Sequence, residues 1–121
     1  MTDKHFCVRP SVIEGAGRGV FARVAISEGR RLWVSGFLVR RGTLADRCTH
    51  YADPYKFRVG KNLLIPTGYG GLINHSTHPN LVKIIRGKKV FLQALRTILA
   101  GEELFHHYGN DALKRFHRKG A

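Results

Sequence analysis

The stretch Asn74-His75-Ser76-Thr77-His78-Pro79-Asn80 follows the apolar pair Leu72-Ile73 and packs six hydrogen-bonding side chains and a proline into seven residues. Taken alone it reads as a turn whose side chains bond their own backbone. Two other segments give it meaning. Downstream lies Gly101-Glu102-Glu103-Leu104-Phe105-His106-His107-Tyr108-Gly109, and upstream Gly17-Arg18-Gly19-Val20-Phe21-Ala22. In Gly17-Arg18-Gly19 the two glycines permit backbone conformations and close ligand approach that a Cβ would forbid. The segment does not extend into the longer GxGxxG fingerprint, which argues against a dinucleotide-binding fold.

The rest of the chain is a series of short apolar runs broken by glycine. Strands are expected at residues 6–9, 19–22, 32–39, 63–65, 81–85, 90–94 and 104–105, with a hairpin turning at Arg86-Gly87-Lys88-Lys89. Helical signal is confined to residues 43–51, after Gly42, and 111–117, with Asn110 or Asp111 as the N-cap. The expectation from the residues is a mainly β domain of small sheets.

At 121 residues the chain fits one domain with one modest core. Hydrophobic residues make up 43% and charged residues 24%, a composition that argues against disorder. No apolar run approaches the roughly 20 residues needed to cross a bilayer, and the start lacks the apolar segment of a secretory signal. These features lead us to expect an intracellular protein with no membrane partner, in the cytoplasm or nucleoid, or in the nucleus if the source is eukaryotic or viral. Cys7 and Cys48 are too few and too far apart for a disulfide framework or a cysteine-rich zinc site, and are expected as reduced, packed thiols. His106 and His107, if on a strand, point to opposite faces. His75 and His78 lack further ligands at zinc spacing, so no metal is expected. The 21 Lys and Arg against eight Asp and Glu give a net charge of +13, a field that attracts polyanions, so nucleic acid is an expected partner.

The three segments, in this order, resemble the SET-domain protein lysine methyltransferases over residues 9–109, leaving 110–121 as a basic tail. With no cysteine-rich flanks, the chain looks like the minimal SET proteins of bacteria and viruses. The resemblance implies a β-clip fold of small sheets with few short helices, in which the segment near Tyr108 threads beneath the Asn74-His75 loop as a pseudoknot. It also implies S-adenosylmethionine as cofactor, held by Gly17, Arg18, Gly19, Asn74 and His75, and a lysine-bearing protein as substrate. Tyr108 matches the family's catalytic tyrosine. Tyr55 falls at a family-like distance before Asn74 and is the second candidate, with Tyr51 and Tyr69 as rivals and Phe57 as a wall of the lysine channel.

Several positions depart from the pattern. Gly71 stands where the family usually has Arg, and His106 and His107 stand where it commonly has an aromatic and then an acid. A SET scaffold that has lost catalysis and serves as a basic nucleic-acid-binding module is therefore the rival reading. A basic protein substrate would need Glu102, Glu103, Asp53 or Asp111 as a local acidic patch, or a bridging nucleic acid. By analogy with minimal SET proteins, a homodimer is also expected to complete the walls of the site.

Overall fold

A computed structural model describes residues 4–107. Among these residues, ten strands form three sheets. β1 (Phe6–Pro10) pairs antiparallel with β2 (Arg18–Ala22). β4 (Gly36–Arg40), β6 (Asn62–Pro66) and β5 (Phe57–Val59) make a second sheet in that spatial order. The largest sheet holds β3 (Arg31–Val34), β9 (Lys89–Ala94), β8 (Leu81–Arg86), β10 (Phe105–His106) and β7 (Asn74–His75), again in spatial order.

The run expected as one strand over 32–39 is two strands in different sheets, breaking at Ser35. Gly36 shows why the chain can turn there. A Cβ at that position would overlap the Ile65 carbonyl, so only glycine lets β4 lie against β6 while β3 goes to β9. The hairpin expected between residues 81 and 94 is present, with Arg86 opposite Lys89. Gly87 alone supplies the left-handed backbone (φ +62°) at the first central position, as a II′-type connection requires.

The helix expected over 43–51 shortens to α1 (Leu44–Arg47), followed by a 3₁₀ segment His50–Tyr55. Thr43 caps the start, and Asp46 reaches back to the Gly42 amide (2.8 Å). At the other end the Thr49 hydroxyl donates to the Ala45 and Asp46 carbonyls (2.8 and 3.0 Å), using up acceptors that a longer helix would need. The Lys56 ammonium, with its side chain fully buried, binds Asp46 Oδ1 (2.8 Å), Asp53 Oδ1 (2.7 Å) and the Asp46 carbonyl (3.1 Å). Asp53 also holds His50 Nδ1 at 2.6 Å. Burial pushes the Asp53 carboxyl up, but the bonds from Lys56 and His50 outweigh it and hold the group below its usual range. The helix expected at 111–117 lies outside the described residues.

The core is drawn from all three sheets: Val20 and Ala22 from β2, Val34 from β3, Phe57 and Leu64 from β5 and β6, and Leu81, Val90 and Leu92 from β8 and β9. Cys7 is half-buried and Cys48 exposed, so Cys48 is not the packed thiol expected. No helix among the described residues is long and apolar enough to cross a membrane.

Candidate functional site

β10 is the strand that organises the site. It lies between β7 and β8 and runs parallel to both, pairing Phe105 with Asn74, and His106 with His75 and Leu81. Because β7 and β8 are joined by Ser76–Asn80, the late segment passes beneath that loop. The loop is fastened on both sides. Ser76 N donates to the His106 carbonyl (3.1 Å), and Asn80 N to the Phe105 carbonyl (3.1 Å). The buried Asn80 side chain accepts from Phe105 N (2.8 Å) and donates to the Glu103 carbonyl (2.9 Å). This is the threaded crossing anticipated from the sequence. Asn80, anticipated as a loop former, is its latch.

Two of the predicted site residues, Asn74 and Gly19, meet at a third residue that sequence reasoning undervalued. Glu103, expected as part of an acidic patch or as a solvated residue, is 4% exposed. Its carboxylate accepts from the Ser11 hydroxyl (3.0 and 2.8 Å), Val12 N (2.8 Å) and Asn74 Nδ2 (3.1 Å). Asn74 Nδ2 also donates to the Arg18 carbonyl (2.9 Å). One amide thus ties the loop to the Gly17-Arg18-Gly19 turn, with Glu103 clamping both. The two glycines do different things. A Cβ on Gly19 would overlap Glu103 Oε2, so Gly19 makes room for the clamp. Gly17 has a left-handed backbone (φ +75°) and nothing within 4 Å of a would-be Cβ, leaving its main chain open to a ligand. Asn74 Oδ1 takes no hydrogen bond among the described residues, so an acceptor remains beside that open turn.

The histidines that break the family pattern divide by burial. His106 is 5% exposed and stacks on Phe57, with ring centroids 5.4 Å apart. Burial, and then the charges of His75 and Lys83, push its pKa down to about 4, against backbone hydrogen bonds at Ile73 and His107 that favour the charged form. At neutral pH it is an uncharged flat ring, so a histidine fills an aromatic position without bringing a charge. His107 is exposed and meets the His75 ring edge-on at 4.7 Å. Burial, followed by His107, lowers the His75 pKa.

Tyr108 lies outside the described residues. Tyr55 ends the 3₁₀ segment and is half exposed, two residues before the Phe57 that stacks on His106. Its rival Tyr69 packs against Phe6 (5.5 Å) at the core margin, and Tyr51 is 71% exposed. Phe57 is buried in the core rather than open to a channel. A cleft of about 170 Å³ lies nearby, lined by Phe6, Leu32, Tyr69, Ile73 and Leu104, with Trp33 on its rim. That is smaller than the roughly 300 Å³ at which small-molecule sites begin. The expected acidic patch does not survive either. Glu103 is inside, Asp53 is bound to Lys56 and His50, and Glu102 pairs with Arg96 at 2.9 Å. Asp111 lies outside the described residues.

Comparison with known proteins agrees with this geometry. The SET domain family matches residues 17–109, and the chain belongs to that family. Histone-lysine N-methyltransferase trithorax of Drosophila virilis is 32% identical over 105 residues, covering 76% of this chain and 3% of that protein. Human histone-lysine N-methyltransferase 2B is 31% identical, covering 76% of this chain and 4% of its own length. The chain therefore spans only a small fraction of these curated relatives. Among solved structures, Chaetomium thermophilum Polycomb Repressive Complex 2 bound to the inhibitor GSK343, a humanized mutant, superposes with a TM-score of 0.77 at 26% identity, over 95% of this chain and 17% of that one. The same complex bound to S-adenosylmethionine gives 0.76 at 24% identity over 98% of this chain and 17% of that one, which speaks to fold alone.

Proposed function

We propose that the protein is an S-adenosylmethionine-dependent protein lysine N-methyltransferase acting on a basic or nucleic-acid-associated protein. The observation that carries the reading is the junction of the open Gly17 turn, Asn74 and the threaded β10, which sends the chain toward Tyr108 from directly beneath the Asn74-His75 loop. When bound, the cofactor supplies an electrophilic methyl on a sulfonium. Asn74 Oδ1 and the exposed main chain at Gly17 and Arg18 would hold its polar end, and His75 its far side.

The protein must then deliver a neutral amine. A lysine with a pKa near 10.4 resists deprotonation at pH 7 by about 4.6 kcal/mol. Desolvating the ammonium among aromatic side chains, the role proposed for Tyr108 and Tyr55, would lower that barrier. No general acid or base is then needed at the transferred group. Alignment of nitrogen, methyl and sulfur is the main contribution, worth roughly 7–11 kcal/mol in well-oriented systems. The neutral His106 ring, stacked on Phe57, fixes the strand immediately ahead of Tyr108 and weakens the case for an inactive scaffold.

The test is calorimetric titration with S-adenosylmethionine, followed by radiolabel transfer to a mixture of basic proteins. Tyr108→Phe should lower turnover far more than cofactor affinity. Equal losses in both, or wild-type protein that neither binds the cofactor nor transfers a methyl, would overturn the assignment.

A further inference from the structure

The outward face of β3, β9 and β8 is explained neither by the core nor by the Asn74 junction, although Trp33 also borders the cleft described above. Strand alternation and register assemble it. Trp33 on β3 lies opposite Phe91 on β9, which lies opposite Ile84 on β8, forming one apolar row across three strands. On one side of that row stands Arg31, its Nε donating to Gln93 Oε1 at 2.9 Å. On the other stand Arg86 and Lys89, facing each other across the hairpin end. The inward residues of the same strands, Val34, Val90, Leu92 and Leu81, are buried in the core, so this face is the solvent side. Trp33 is 65% exposed, and Phe91 and Ile84 beside it stay partly exposed. Burying a tryptophan is strongly favourable, so leaving one open on the edge strand, in line with two further apolar side chains, points to a ligand.

We propose that this face binds single-stranded nucleic acid, with bases stacked on Trp33 and Phe91 and phosphates held by Arg31, Arg86 and Lys89. Charge decides the occupant. The flanks of the row are cationic, no acid stands on the face in the registered rows, and the whole chain carries +13. Two copies meeting here would set like charges against each other, and a basic protein would be repelled. A duplex could satisfy the cations but would keep its bases stacked internally and leave the aromatic row unused. A single strand uses both features, because every base has a π-face and a tethered phosphate. The proposal is independent of methyl transfer, since it needs neither the Asn74 loop nor a cofactor.

The chain has one tryptophan, so its fluorescence reports this face directly. Titration with a twelve-nucleotide oligo(dT), without cofactor, should quench Trp33 emission saturably, while a duplex of equal length should quench it far less. By fluorescence anisotropy of a labelled oligonucleotide, Trp33→Ala and Phe91→Ala should each weaken binding by about 5- to 100-fold, the range for a lost stacked base. Lys89→Gln should lower the salt slope of log affinity by about 0.7, one phosphate contact on a single strand. Thermal melts of the variants exclude unfolding as the cause. Any of three results would overturn the proposal: no oligonucleotide binding, binding that leaves Trp33 emission and the alanine variants unaffected, or a concentration-dependent shift of Trp33 emission with doubled mass in protein alone, which would assign the face to a second copy.

Discussion

His106 gives the most quantitative prediction. In the unfolded chain its imidazole titrates near 6.5, whereas in the folded protein burial and the neighbouring cations bring it to about 4. Between those values the unfolded state binds more protons, so stability is fully present above pH 6.5 and is lost as pH falls toward 4. At 1.36 kcal/mol per pH unit the gap corresponds to about 3 kcal/mol, a large share of the 5–15 kcal/mol typical of a domain. The perturbation is His106→Phe, which keeps the flat ring against Phe57 but cannot titrate. It also forfeits the ring's backbone hydrogen bonds at Ile73 and His107, a pH-independent cost of about 1–3 kcal/mol. The diagnostic is therefore the slope and not the absolute stability. Urea denaturation at half-unit steps from pH 7.5 to 4.5 should show wild-type stability falling with a slope approaching one proton, with His75 adding to it in the same direction. In His106→Phe most of that slope should vanish, while losses below about pH 4.5 from Glu102 and Asp53 persist. A wild-type curve flat across this window, or an unchanged slope in the variant, would refute the burial argument.

Other expectations follow from the clamp and the buried ion triad. Glu103→Ala leaves the Ser11 hydroxyl, Val12 N and Asn74 Nδ2 without their acceptor and should cost about 3 kcal/mol in urea denaturation. Gly19→Ala places a methyl on the Glu103 carboxylate and should destabilise by about 1–3 kcal/mol. Gly17→Ala meets only open space, so its cost should be the roughly 1 kcal/mol of a left-handed backbone, seen as a smaller shift in melting temperature. Lys56→Met strands two buried carboxylates and should cost about 3–5 kcal/mol, with partial recovery when Asp46 and Asp53 are replaced by asparagine in the same chain.

Much of this was legible in the sequence because it is written in local terms. The β8–β9 hairpin follows from two β-branched runs around Gly87, whereas the threaded strand was implied only by the family resemblance that three short segments carry, since ordinary connection rules would exclude it. The division at Ser35 had only the Ser35-Gly36 dipeptide as a signal, and that pair alone does not say that the two halves join different sheets. What fixes the break is the Ile65 carbonyl of the paired strand β6, which approaches Gly36 too closely for any Cβ. Asp46, Asp53 and Lys56 are charged residues that an apolar pattern does not mark as interior, so their common burial is visible only in three dimensions. Glu103 looked like half of an acidic pair at the start of a strand. Glu102 behaves that way, while its neighbour is buried by Ser11 from 92 positions earlier. A glycine whose Cβ would collide with that carboxylate was the available signal, and it could not be interpreted without its partner.

The position of β10 carries a consequence for biosynthesis. An interior strand of the main sheet is among the last parts of the described chain to be made, so β7 and β8 cannot be bridged until it arrives. Until then their backbone groups stay open to water and to other chains. Closing a parallel contact between residues near 75 and 106 is slow compared with making a local hairpin. A ribosome stalled before Leu104 would release a domain with a slot through its middle. Such a product should aggregate or be degraded, so the cell would hold the finished domain or none.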